Sequence, residues 1–339
     1  MDSLSQLVLG AAVGEALLGK KLGNRAILWG AIGGTIPDLD VLSGFILSEL
    51  GELTFHRGIS HSLFFSVLFA LLLGWLIHRF NKTTSLVTRK EWQIMLFFAF
   101  FTHVILDCFT VYGTQVFAPF SSYRVSWGSI AVVDPLYTIP LLLSLVITGF
   151  IIRTKRTRRI VNYLGLALST LYLLFTVYNK ARVHKIFEHE FKAQNIEVTR
   201  MMTSPTIFNN ILWSCTAEAN DSYYVGLYSF YDTVPVKFSK IEKQHTLIQN
   251  IDSDPTITSL RWFSDNYFCI DIVDGNLLFN DLRFGAYFDK EGNNTDYIFS
   301  FLLEEDDGKY ELVETIIGPP KDQEEEYIDN FFARIWGVN

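Results

Sequence analysis

The apolar residues of this chain are concentrated in its first half. Five predominantly apolar runs cover residues 26–47, 63–77, 92–112, 135–152 and 160–178, and a shorter run covers 4–18. A helix that crosses the hydrocarbon core of a bilayer needs about 20 such residues. The pattern therefore predicts a polytopic α-helical membrane domain over residues 1–178, with five membrane helices and a short sixth in 4–18.

The second half has a different pattern. Residues 179–198 mix apolar and charged positions in a way that predicts a helix, and short aromatic and β-branched runs follow it. The runs that predict strands are 211–215, 223–231, 236–238, 260–263, 267–272, 277–279 and 297–303. We expect a soluble α+β domain, mainly β, over residues 179–339, a length usual for one domain.

Composition supports this division. The 339 residues are 49% hydrophobic, which exceeds what an ordinary soluble protein of this length needs. The net charge of −8 divides into +5 for residues 1–178 and −13 for residues 179–339. A protein binds the phosphate backbone of a nucleic acid with clustered Lys and Arg, so the acidity of residues 179–339 argues against a nucleic-acid partner. The expected partner is the lipid bilayer.

Positive charges predict the orientation of the membrane domain. Arg79, Lys82, Arg89 and Lys90 lie between two apolar runs, and residues 153–159 form a second basic segment. The positive-inside rule places both in the cytoplasm. Residues 179–339 are then expected outside the cytoplasm, where Cys215 and Cys269 would be able to form a disulfide.

Six ionisable residues stand at the ends of apolar segments. They are Asp38, Asp40, His56, His61, His103 and Asp107. Such groups are costly at membrane depth unless they pair, face water or bind an ion. Six nitrogen and oxygen ligands without a thiolate suit a divalent metal, Zn, Mn or Fe, in a mononuclear or dinuclear site. The alternative is a set of hydrogen bonds that ties helices together without a metal.

Local spacing favours convergence of these ligands. Pro37 ends a helical pattern, so the two aspartates that follow it lie at a helix break. Gly58 permits a tight turn between the two histidines of residues 56–61. His103 and Asp107 are four residues apart and share one helix face, where they would bind one metal or only each other.

Further charged residues are candidates for the same site. Arg57 and Arg124 lie in the two loops expected outside the membrane, where a water-exposed guanidinium would clamp a phosphate or carboxylate. The alternative is a salt bridge between loops, for example with Asp134. Glu15 stands inside the first apolar run as a further metal ligand or as a partner of Lys20.

Small residues at four-residue spacing occur in the first two helical segments. Gly10 and Gly14 lie in the first, and Gly30 and Gly34 lie in the second. This spacing predicts that the two helices approach closely. The alternative is that these glycines are merely small, since glycine is common in membrane helices.

Four motifs together resemble a known family. They are Gly-Ala-Ala-Val-Gly-Glu at 10–15, Gly-Thr-Ile-Pro-Asp-Leu-Asp at 34–40, His-Arg-Gly-Ile-Ser-His-Ser at 56–62 and Thr-His-Val-Ile-Leu-Asp at 102–107. In this order they resemble the YdjM-like family of inner-membrane metal-dependent hydrolases, and residues 205–213 and 281–285 are similar to segments of its longer members. The resemblance implies a bacterial inner (plasma) membrane location. One departure is that Ser5-Gln6 stands where many members have Thr-His.

The combined hypothesis is a membrane-embedded, metal-dependent hydrolase that acts on a phosphate ester or lipid-like substrate at the extracytoplasmic boundary. Asp134 would be the general base or orient another group, and Arg57 and Arg124 would stabilise developing negative charge. The first alternative is a non-enzymatic protein with a structural metal and an exported partner-binding domain, and the second is metal transport. A closed ligand shell favours the structural metal, whereas an open position favours the enzyme.

Overall fold

The computed structural model of the protein describes residues 1–80, 86–288, 294–319 and 324–338. The chain forms two compact units. The first unit comprises Met1–Phe45, Phe55–Tyr178 and Ile207–Asn209, and the second comprises Ile46–Thr54, Asn179–Thr206 and Asn210–Asn339. A helical N-terminal region followed by a sheet-rich region is confirmed. Lys82, part of the predicted cytoplasmic basic cluster, lies outside the described residues.

The α-helices, in chain order, are α1 Ser3–Leu22, α2 Asn24–Thr35, α3 Glu49–Phe55, α4 Leu63–Phe80, α5 Arg89–Cys108, α6 Pro135–Phe150, α7 Arg156–Ala193, α8 Pro255–Phe263 and α9 Glu324–Ile335. Single 3-10 helices cover Pro37–Phe45, Ile59–His61, His245–Ile251 and Leu282–Phe284. The helix expected after residue 178 is the continuation of α7.

Three of the described helices, α4, α5 and α7, are long and apolar enough to cross a membrane. The prediction of five or six membrane helices is therefore confirmed for three of them. α6 is apolar but has 16 residues. The run 26–47 is divided, because α2 ends at Thr35 and a 3-10 helix begins at Pro37, which has no backbone N–H to donate.

α1 and α2 pack backbone against backbone. A Cβ atom on Gly10 would lie 2.5 Å from the carbonyl oxygen of Gly30, and one on Gly14 would lie 2.3 Å from that of Ala26. Real Cβ contacts are longer, so only glycine permits this approach. The close packing predicted from the four-residue spacing of glycines is confirmed.

α5 carries two of the candidate ligands, His103 and Asp107. Thr88 and Glu91 form a capping box at its N-terminus. Its buried face runs from Trp92 through Phe100 to His103 and Asp107. The two ionisable residues therefore extend a hydrophobic face at helical spacing, and they point into the first unit instead of toward lipid.

The second unit is built on antiparallel sheets. The strands are β1 Arg200–Pro205, β2 Leu212–Glu218, β3 Ser222–Ser229, β4 Phe238–Glu242, β5 Phe268–Val273, β6 Asn276–Asp281, β7 Ala286–Phe288, β8 Asn294–Tyr297, β9 Phe299–Asp306 and β10 Lys309–Ile317. One sheet has the order β1-β2-β3-β4, another has the order β10-β9-β6-β5, and β7 pairs with β8.

Two predictions about the second unit need correction or completion. Residues 260–263 were expected to be a strand, but they end α8, because Asp254 caps this helix and Pro255 occupies its first position. β1, β7 and β10 lie in none of the predicted runs, and β4 and β8 each share one residue with a predicted run, Phe238 and Tyr297. Cys215 and Cys269 are free, buried thiols.

Candidate metal centre

Three segments of the first unit bring the candidate ligands together. The 3-10 helix after Pro37 carries Asp38, a second 3-10 helix ends at His61, and α5 carries His103 and Asp107. The turn before His61 requires its glycine, since a Cβ on Gly58 would lie 2.7 Å from the carbonyl oxygen of Phe55. The tight turn expected at Gly58 is therefore present.

Asp38, His61, His103 and Asp107 form a compact group that could hold a metal ion, with ligand atoms all within 4.8 Å of one another. The two histidine Nε2 atoms are 3.1 Å apart. Each lies 3.3 Å from Asp38 Oδ1 and 3.4 Å from Asp107 Oδ2. Ligands bound tetrahedrally at 2.0–2.1 Å are separated by about 3.3–3.4 Å, so these five spacings fit one ion.

Hydrogen bonds fix the ring orientation of both histidines. His103 Nδ1 donates to the carbonyl oxygen of Gly34 at 2.7 Å, which leaves Nε2 with a lone pair. His61 Nδ1 lies 3.0 Å from Ser60 Oγ and 3.1 Å from Asp40 Oδ2, and Ser60 Oγ itself donates to Asp40. Nδ1 of His61 is therefore the donor. Histidines that bind metals use this arrangement, with the remote nitrogen held by a carbonyl or carboxylate.

Unsatisfied atoms support the fit to a cation. Asp38 Oδ2 and Asp107 Oδ2 are buried and have no hydrogen-bond partner among the described residues. The group therefore presents ionised carboxylate oxygen and two histidine lone pairs, a donor set suited to Zn, Mn or Fe.

The structure does not bring Asp40 and His56 into this group, although both were predicted as metal ligands. Asp40 Oδ1 accepts from His56 Nδ1 at 2.9 Å, and Oδ2 accepts from the backbone N–H of Arg57 and from Ser60. With both oxygens occupied, Asp40 orients the turn and the ring of His61. His56 remains 27% exposed with its Nδ1 held by Asp40.

Arg57 was expected in water and is instead buried, with 5% of its surface exposed. Its Nη1 donates to Thr110 Oγ1 at 2.9 Å, and its Nη2 lies 3.4 Å from Asp107 Oδ1. Its Nε is buried without a hydrogen-bond partner among the described residues. The backbone at Arg57 is left-handed, with φ of 56°.

Arg124 and Arg57 contact the same aromatic ring. The two guanidinium carbons are 5.0 Å and 4.7 Å from the ring centroid of Tyr112. Arg124 Nη2 also donates to the carbonyl oxygen of Tyr112. The structure thus places both predicted arginines around Tyr112, and neither forms the predicted loop salt bridge with Asp134.

Asp134 and Glu15 lie apart from the four ligands. Asp134 caps α6 by accepting from the N–H of Leu136 at 3.0 Å, and it accepts from the Tyr172 hydroxyl at 2.8 Å. Glu15 accepts from Arg158 Nε at 2.7 Å and Nη2 at 2.6 Å, with both side chains buried. The structure places Glu15 against Arg158, so it brings Glu15 neither into the four-residue group nor against Lys20.

Gln6, which stands where many members of the family have His, is part of the site. It is fully buried, and its Nε2 donates to Asp107 Oδ1 at 3.0 Å and to the carbonyl oxygen of His103 at 3.2 Å. The amide positions the α5 ligands instead of binding metal. The available signal was its place in the family motif that precedes the first glycine pair.

The first unit is thus that of a helical membrane protein with a His2Asp2 group that could hold a metal. Residues 1–183 match the YdjM inner membrane protein family, and the chain belongs to this family. The resemblance seen in the motifs is confirmed. The chain is also similar to the uncharacterized protein YfhP of Bacillus subtilis (strain 168), with 27% identity over 142 residues.

That similarity covers 40% of this chain and 42% of YfhP, so the chain spans less than half the length of this relative. No solved structure matches the chain.

Proposed function

We propose that the protein is a membrane-embedded, metal-dependent hydrolase that cleaves a phosphate ester or lipid-like substrate at the extracytoplasmic boundary. The observation that carries the proposal is the buried Arg57, whose Nε has no hydrogen-bond partner among the described residues and whose Nη2 lies 3.4 Å from Asp107. Asp107 already pairs with the Arg57 charge, but a buried donor without an acceptor is costly, and the Nε donor lacks one. A phosphate oxygen would satisfy it.

The residues divide into three roles. Asp38, His61, His103 and Asp107 hold the divalent ion, which when bound lowers the pKa of water and polarises the scissile group. Arg57 donates to the developing negative charge, and Arg124 packs on the Tyr112 ring and adds positive charge.

Proton transfer falls to His56 in this proposal. Its Nδ1 is held by Asp40, its ring is partly exposed, and its centroid lies 5.9 Å from that of His61. Asp134 was predicted as general base or orienting residue. Its engagement with the α6 N-terminus and Tyr172 supports the orienting role, because it fixes α6.

A structural metal with an exported partner-binding domain is the second candidate, and one observation favours it. Four protein ligands complete a tetrahedral shell, which is the arrangement of structural zinc sites. A metal that takes five or six ligands, such as Mn or Fe, would keep positions for water and substrate. The identity of the bound metal therefore discriminates between the two functions.

The test is hydrolysis of a phosphate-ester and phospholipid panel by detergent-purified protein loaded in turn with Zn, Mn or Fe. Arg57→Lys should lower kcat by about 10²–10³-fold with metal content unchanged, since the fork of donors is lost but the charge stays. Arg153→Lys, on an exposed residue, is the matched control. A wild-type protein inert with every metal while fully loaded would favour the structural metal.

We also propose that the second unit is extracytoplasmic. The support is the basic segment 153–159 and the cluster around Arg79, Arg89 and Lys90, which the positive-inside rule assigns to the cytoplasm. A periplasm-dependent reporter fused to the C-terminus should be active. A fusion that is active only as a cytoplasmic reporter would refute this topology.

A further inference from the structure

An apolar groove of about 530 Å³ lies at the start of α4. It is lined by Leu63, Phe64, Val67, Leu68, Phe117 and Phe120, and we call it the α4 groove. Its volume falls within the ~300–1,000 Å³ of ligand-binding pockets. Every lining side chain is a hydrocarbon, so the groove offers no hydrogen bond to an occupant.

The α4 groove is connected to the metal centre by the chain itself and by backbone hydrogen bonds. Leu63 follows the metal ligand His61 by two residues, and its N–H donates to the carbonyl oxygen of Val116 at 3.0 Å. In the same loop, the N–H of Gln115 donates to the carbonyl oxygen of Arg57 at 3.0 Å. One short segment thus connects the groove wall to the arginine of the site.

The groove differs from the remaining outer surface of α4. Phe120 stands over Phe64 with ring centroids 5.6 Å apart and an interplanar angle of 88°, so the loop forms a second wall. Leu71 and Leu72, further along the same helix, are about half exposed and do not line the groove. Any bilayer lipid can cover Leu71, whereas the groove has the shape to hold one chain.

Apolar surface also surrounds the ligands themselves. Leu39, Val41, Leu42 and Phe45, in the 3-10 helix that carries Asp38, are at least half exposed, and Phe45 reaches 87%. Such a surface beside charged ligands is unfavourable in water and fits contact with acyl chains. The ligand that matches an anion-binding centre continuous with an apolar groove is an amphiphile.

We propose that the α4 groove holds one acyl chain of a membrane phospholipid whose phosphate group lies at the metal centre beside Arg57. This inference rests on the proposed function for the cleavage of the phosphate ester. Binding of the acyl chain in the groove does not depend on that cleavage. A water-soluble phosphate ester would leave the groove without a role. The protein would instead select substrates by the chain as well as by the phosphate.

Photolabelling tests chain binding without requiring hydrolysis. The probe is a phosphatidic acid with a diazirine midway along one acyl chain, presented to the full-length protein in phosphatidylcholine nanodiscs. We expect labels concentrated on residues 63–68 and 117–120. Val67→Trp fills the groove and should reduce this labelling severalfold, whereas Leu71→Trp, one turn further on the same exposed face, should leave it unchanged. Labels spread evenly along α4 in all three proteins would overturn the proposal.

A chain-length series separates this inference from the proposed function. If the groove binds the chain, kcat/KM on alkyl phosphate esters should rise about fourfold per added methylene until the groove is full, and Val67→Trp should flatten the rise. Cleavage independent of chain length would refute the groove and leave the hydrolase standing. Groove labelling that depends on Val67, with no ester cleaved, would support the groove and refute the hydrolase.

Discussion

Replacement of Asp40 by Asn separates residues that bind the metal from residues that position its ligands. Asp40 touches four donors, His56 Nδ1, the Arg57 N–H, Ser60 Oγ and His61 Nδ1, at 2.7–3.1 Å. The Asn oxygen can take the place of Oδ2, which faces three of them. Its amide nitrogen then faces His56, whose ring can present a lone pair by changing tautomer.

The variant therefore loses the negative charge and leaves no donor unpaired. Hydrogen bonds to a charged group contribute about 1.5–3 kcal/mol, against about 0.5–1.5 kcal/mol for neutral ones, so a loss of about 1–2 kcal/mol in unfolding free energy is expected. Loss of a carboxylate that orients a metal-binding histidine typically weakens metal affinity by about 10–100-fold. At saturating metal, the stoichiometry should remain that of the wild type.

The assay is competition with a chelator of known affinity, with elemental analysis after equilibration in excess metal. Asp38→Asn and Asp107→Asn remove ligands and should lose the metal even when it is in excess. Asp134→Asn is the control carboxylate, since it caps α6 away from the group. An Asp40→Asn protein that cannot be loaded would make Asp40 a ligand, and one with unchanged affinity would remove its orienting role.

Two further predictions concern the packing that holds the site. Gly30→Ala should destabilise the protein by about 1–3 kcal/mol, because its Cβ would lie 2.2 Å from the Gly10 carbonyl oxygen. The control is Gly149→Ala, whose Cβ would meet nothing within 4 Å and which should be neutral or stabilising. Thermal unfolding measures both changes. Arg158→Met should lower the unfolding free energy by about 3–5 kcal/mol, because it leaves Glu15 buried and unpaired. Adding Glu15→Gln should restore most of this loss. A double variant no more stable than the single one would contradict the pairing.

The ligand group was largely predictable from sequence, and the roles around it were not. Spacing placed His103 and Asp107 on one face, and the break at Pro37 placed Asp38 near a helix end, as observed. Which aspartate of residues 38–40 joins His103 and Asp107 in the group depends on the direction of side chains in a 3-10 helix. Sequence periodicity does not determine that direction, so Asp40 was predicted to be a ligand.

Long-range partners explain the other differences. Glu15 pairs with Arg158, 143 residues away, and the basic segment that holds Arg158 was interpreted by its charge alone. Arg57 is buried on a left-handed backbone at a non-glycine residue, a conformation that composition rarely signals. In the second unit, the run 260–263 is too short to distinguish a strand from a helix. The cap at Asp254 and the proline at the first helical position favour the helix α8.

The central claim is that Asp38, His61, His103 and Asp107 bind one metal ion. The most direct measurement is elemental analysis of the protein purified in mild detergent without added metal, beside His61→Ala, Asp107→Ala and the control Asp134→Ala. We expect about one divalent ion per chain in the wild type and the control, and loss of most of it in the two ligand variants. Equal metal content in all four proteins, or none in a folded wild type even after loading, would contradict it.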